Sequence, residues 1–121
     1  MSVGFSTRVR GLIDDREVSR CFICGGRGRE RHHRRRRRVN HDGLAHSAAN
    51  GILLCGWGNH DGCHGRVHSQ PTWAKQHGYL VLPELSPLDV PIRHFSRGLI
   101  LLDHDGGWRE ASLEEGGEAD A

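Results

Sequence analysis

The chain has few of the residues that build a large core. Of its 121 residues only three are Trp, three Phe, one Tyr and one Met, so hydrophobic burial alone is a thin source of stability at this length. It also lacks a long apolar run. The stretch "LILL" at 99–102 falls far short of the ~20 residues a spanning helix needs, and no membrane association is expected. The opening "MSVGFSTRVRGLIDD" is broken by charges and carries no apolar leader, from which a soluble cytoplasmic protein with reduced thiols is expected. Lysine is nearly absent, Lys75 being the only one.

Arginine is what the chain has instead. The net charge of +2 conceals five consecutive guanidiniums, Arg34, Arg35, Arg36, Arg37 and Arg38, set against Glu114, Glu115, Glu118 and Asp120 in the tail. Arg makes planar, bidentate contacts to phosphate. The basic segment therefore points to nucleic acid.

Local patterns give short elements around turns. A short helix is expected over 6–18, with Ser6 or Thr7 as its cap and Gly11 weakening it. The segment "RERHHRRRRRVN" has no apolar stripe and reads as extended, and "HDGLAHSAANG" as turns. "ILLC" at 52–55 reads as a short buried strand and "GWGNHDG" as a loop. A second helix carries His64 and His68. Pro71 then suits the first turn of a third helix, which Gly78 ends. "YLVL" at 79–82 and "LILL" read as strands, with "DHDGGW" supplying hairpin turn chemistry before Trp108. No internal repeat is present.

Two groups of residues have metal-ligand chemistry. Cys21 and Cys24 form a C-x-x-C pair, and Cys55 with Cys63 can close a tetrahedral thiolate site on zinc. Four thiolates leave no open coordination position, so such a site is structural, and its binding energy becomes folding energy. Unconnected free thiols are the alternative. A redox pair is disfavoured because no βαβ pattern surrounds Cys21. His64 and His68, at i and i+4, lie on one helical face. A zinc already filled by thiolates cannot use them, so they are either a surface pair or ligands of a second metal. The adjacent His32 and His33, directly before the Arg run, favour the second metal.

In this order, C-x-x-C, "HH" at 32–33, Asn50 ahead of "ILLC", then "CHGRVH" and "GYLV", the chain resembles the HNH endonucleases with a ββα-metal (His-Me finger) site. It is most similar to the small HNH proteins of tailed bacteriophages, over about residues 19–82. The resemblance implies an α+β fold: a zinc-stabilised ββα-metal core over 19–82, preceded by an N-terminal helix or extension over 1–18. Beyond the reach of the resemblance, the residue patterns read as C-terminal strands over 83–112, including a β-hairpin, and the composition of 113–121 as a disordered acidic tail. The resemblance implies structural Zn2+ on Cys21, Cys24, Cys55 and Cys63, and one catalytic divalent cation on His32, His64 and His68. His33 becomes the general base, and Asn50, which alone reads as ordinary turn chemistry, orients the base or its loop.

That constellation suits metal-dependent phosphodiester hydrolysis, in which a neutral imidazole takes a proton from water and a cation offsets developing charge on phosphate. The resemblance implies cutting or nicking of double-stranded DNA to 5′-phosphate and 3′-hydroxyl ends. It also implies phage DNA packaging beside the large terminase subunit and the portal. Three imidazoles suit Zn2+, Ni2+, Co2+ or Mn2+ better than Mg2+. Arg34 to Arg38 would contact DNA phosphates. No separate recognition helix is visible, so weak sequence preference is expected. Seven residues separate Cys55 from Cys63, which leaves His60 or Asp61 as a replacement zinc ligand. Neighbours on a strand face opposite sides, so His32 and His33 share a site only where the strand bulges or ends, and the sequence does not choose between them as ligand and base. A non-catalytic zinc-ribbon nucleic-acid-binding module is the rival reading.

Overall fold

The computed structural model describes residues 4–58 and 60–112; the expected acidic tail at 113–121 lies outside the described residues. The architecture is α+β, with short helices and two small antiparallel sheets.

Helix α1 runs over Thr7–Glu17, where the Ser6 hydroxyl accepts from the Val9 N–H as its N-cap. Its inward face is unusual in burying Arg16 and Glu17 beside Ile13. Arg16 donates to the carbonyls of Ala48 and Gly51 at 2.8 and 2.6 Å and to the Glu17 carboxylate. Glu17 in turn holds His94 Nε2 at 2.9 Å. Buried charge is tolerable when paired and hydrogen-bonded in this way, and the network docks α1 onto both sheets.

Strand β1, Glu30–His33, pairs antiparallel with β2, Gly51–Leu54, in a register that sets His32 opposite Ile52 and His33 opposite Gly51. A single 3-10 turn at Ala48–Asn50 leads into β2. All four β2 residues are buried, as the unbroken apolar run requires. Ile52 and Leu54 join Phe22, Val67, Ile92, Ile100 and Leu102 in the main core, and Leu53 packs the other way with Ile13 and Ala48. Helices α2, Gly62–Ser69, and α3, Pro71–Gln76, follow, with Pro71 in the first turn of α3.

The second sheet is β3, Ile92–His94, β4, Gly98–Leu102, and β5, Trp108–Glu110, in that order. The β4–β5 hairpin expected from "DHDGGW" forms, its turn closed by Asp103 accepting from the N–H groups of Asp105 and Gly107. The strand expected at 79–82 does not form. Tyr79 packs into the core, Val81 spends its N–H on the Arg34 carbonyl, and Pro83 has no N–H to extend a ladder. No helix among the described residues is long and apolar enough to cross a membrane.

Two candidate metal centres beside a basic cavity

The sulfurs of Cys21, Cys24, Cys55 and Cys63 all lie within 4.8 Å of one another. Cys24 and Cys55 are 3.7 Å apart, against the about 3.8 Å that a tetrahedral site with Zn–S bonds near 2.3 Å requires. The Gly26 N–H points at Cys24 Sγ and the Cys63 N–H at Cys55 Sγ, at 3.4 and 3.3 Å. Burial pushes the Cys21 and Cys63 thiols up. At Cys24 burial is outweighed by the Gly26 N–H and the neighbouring thiols, and the net shift is downward. Four clustered sulfurs with amide donors match a zinc ion in charge and softness.

The long spacer between Cys55 and Cys63 closes through its glycines. Gly56 and Gly62 both have positive φ, 102° and 61°, and a Cβ on Gly62 would come within 2.6 Å of Gly56 Cα. Only backbone fits there. Asp61 accepts from the Trp57 N–H, and the ligand cluster consists of cysteines without His60 or Asp61. Asp61 therefore shapes the loop.

The second group is His32, His64 and His68, whose ring nitrogens also lie within 4.8 Å of one another. His64 and His68 share one face of α2, and His32 reaches them from β1 across 5.2 and 5.5 Å between ring centroids. The Nε2–H of His32 donates to the Tyr79 carbonyl at 2.8 Å, which leaves Nδ1 as its ligand atom. Nδ1 of His64 donates to Glu30 at 2.9 Å, which leaves Nε2. Such outer partners fix tautomer and ring orientation at metal sites. Burial pushes His32 down to about 3, so it is neutral and able to ligate at neutral pH. The cysteine and histidine groups can each hold a metal ion such as zinc; His68 stays exposed, so the histidine site opens to solvent.

His33 ends β1 and its ring lies outside the three-imidazole cluster. Strand alternation separates the two neighbours, yet both rings border one cavity of about 650 Å³ together with His64 and His68. Burial, with His46 and Arg37 adding to it, lowers His33 to about 4, so its imidazole is neutral at neutral pH. Asn50 is fully buried, and its side-chain hydrogen bonds go to Arg35 and Ala45. Its Oδ1 accepts from the Arg35 N–H at 2.8 Å, and its Nδ2 donates to the carbonyls of Arg35 and Ala45 at 2.9 Å. It ties the chain leaving β1 to the turn entering β2.

The arginine run divides. Arg36, Arg37 and Arg38 are exposed on the cavity rim. Arg34 and Arg35, expected as phosphate contacts, are 1% and 0% exposed. Arg34 donates to the carbonyls of Gly78, Ala49, Pro87 and Val90 at 2.8 to 3.0 Å. Burial, and then Arg16, lower it to about 9. Arg35 grips Asp42 with two nitrogens at 2.8 and 2.7 Å and donates to the Leu85 carbonyl. The irregular segment between α3 and β3 has buried carbonyls without a ladder partner, and these two side chains supply the donors. The expectation of DNA contact is corrected for both.

Glu30 was legible in principle, because it sits two residues before His32 on the same strand face. His46 carries no sequence signal, lying 13 residues from His33, whose Nε2 it meets at 3.1 Å. His94 is 4% exposed and bound to Glu17. No family model matches the chain, and no curated protein or solved structure matches it.

Proposed function

We propose that this chain is a metal-dependent HNH endonuclease acting on double-stranded DNA, with β1, β2 and α2 as its ββα-metal unit and the four cysteines as its structural zinc site. The observation that carries the reading is the placing of His33 outside the His32–His64–His68 cluster but on the wall of the same cavity, with Arg36, Arg37 and Arg38 on its rim. A cation held by three neutral imidazoles supplies charge stabilisation for a phosphodiester under attack.

The chain's own groups do the rest. Arg36, Arg37 and Arg38 bind backbone phosphates and seat the duplex over the cavity. His33 takes the proton of the attacking water, for which it must be neutral beforehand. Tyr79 and Glu30 hold His32 and His64 in their ligating tautomers. Water adds to phosphorus, the bond to the 3′ oxygen breaks, and that oxygen takes a proton from solvent water, leaving a 5′-phosphate and a 3′-hydroxyl. Service in phage DNA packaging beside the large terminase subunit and portal belongs to this reading, supported by the resemblance alone.

The test is conversion of supercoiled plasmid by the purified chain with Mg2+, Mn2+, Ni2+, Co2+ or Zn2+ added separately. The expected result is nicked or linear plasmid with at least one ion. Intact plasmid with every ion, despite DNA binding, would favour the non-catalytic zinc-ribbon module.

A further inference from the structure

Three separate parts of the chain close on the His33 ring. Phe5, ahead of α1, stacks on it with centroids 4.0 Å apart and planes 8° from parallel. Gly51, the cross-strand partner of His33, has no side chain where one would collide with that stack: a Cβ there would lie 2.7 Å from Phe5 Cζ and 2.4 Å from Ile13 Cδ1. His46, from the loop before β2, meets His33 edge-on, its Nδ1 3.1 Å from Nε2 and the two planes 79° apart. Phe5 also meets the His46 ring edge-on, 6.0 Å between centroids. The stack fixes the plane of His33, and His46 fixes which edge faces inward.

We propose that His46 is a positioning residue: it accepts the Nε2–H of His33 on its own Nδ1 and so keeps the Nδ1 lone pair of His33 as the proton-accepting atom. Neutral imidazole intrinsically favours the Nε2–H tautomer, and both rings adopt that form when His33 donates. With the bond reversed, both rings must take the less favoured Nδ1–H form. A single hydrogen bond thus selects one tautomer for two histidines. The catalytic meaning of the pair rests on the nuclease reading; the tautomer assignment does not.

The experiment uses the full chain with its zinc. Long-range proton–nitrogen correlation spectra of ring-labelled histidines at one neutral pH read the His33 tautomer directly, and spectral dispersion reports folding. Plasmid cleavage supplies kcat and KM on the same samples. Wild type should show His33 as the Nε2–H tautomer. In His46→Ala it should become a mixture of both, with kcat about ten- to a hundredfold lower and KM unchanged. His46→Asn places an amide oxygen where Nδ1 was and should restore both readouts, whereas His46→Gln, whose oxygen sits one carbon further out, should not. An Nδ1–H tautomer for His33 in wild type overturns the proposal, as does a tautomer unmoved in His46→Ala. Where His46→Ala loses its folded dispersion, the Asn and Gln variants decide: equal tautomers in both overturn the proposal. Failure of wild type to cut DNA sinks the nuclease reading while the spectra still judge the hydrogen bond.

Discussion

The carboxylate of Glu30 lies 2.9 Å from Nδ1 of His64, and the same oxygen accepts the Gly58 N–H. One side chain on β1 thereby joins an imidazole of the histidine cluster on α2 to the loop that closes the cysteine cluster. The two candidate metal centres share a structural element, although their ligand sets are separate.

Replacing Glu30 by Ala should weaken cation binding at the histidine site about ten- to a hundredfold, because His64 loses the partner that fixes its tautomer. Calorimetric titration with Mn2+ or Co2+ measures this. The melting temperature should shift little, since Glu30 is only partly buried.

Stripping metal should divide the two centres. Loss of the cation on His32, His64 and His68 should abolish cleavage and leave the circular dichroism spectrum unchanged. Loss of zinc from the four thiols, or Cys63→Ser, should abolish cooperative melting, because metal binding supplies folding energy to a chain with a small core. A metal-free chain that melts as before would contradict the structural site.

Neighbouring arginines should behave oppositely. Arg34→Ala strands four carbonyls and should cost about 3 kcal/mol or more in urea denaturation. Replacing Arg36 and Arg38 together should change stability by less than about 0.5 kcal/mol per site. The double replacement should instead weaken DNA binding across all sequences and flatten the slope of log K against log salt by about 0.9 per lost phosphate contact.

That contrast marks where sequence reasoning reaches its limit. Spacing and periodicity are local, so they placed α1, the buried run of β2, both histidines on one face of α2, and the β4–β5 hairpin. Ligand chemistry also picked the four cysteines out across 42 positions, from Cys21 to Cys63. Burial of a charged side chain is not local. Nothing in five consecutive Arg residues says that the first two turn inward, because the carbonyls that Arg34 serves lie 15 to 56 residues away and the Leu85 carbonyl that Arg35 serves lies 50 away. His94 is buried for a similar reason, its partner Glu17 standing 77 residues earlier. His46 and Phe5 meet His33 only once β1, the turn before β2 and the N-terminal segment have packed.

The most direct measurement is cleavage and binding of an end-labelled DNA duplex by wild type and a folded His33→Ala variant, with the ion that supports plasmid conversion. A nuclease with His33 as its base predicts equal binding affinity and salt dependence for the two proteins, with cleavage in the variant reduced about a hundredfold or more. Cleavage by His33→Ala at the wild-type rate would contradict the role given to His33 and, with it, the reading of the cavity as the active site.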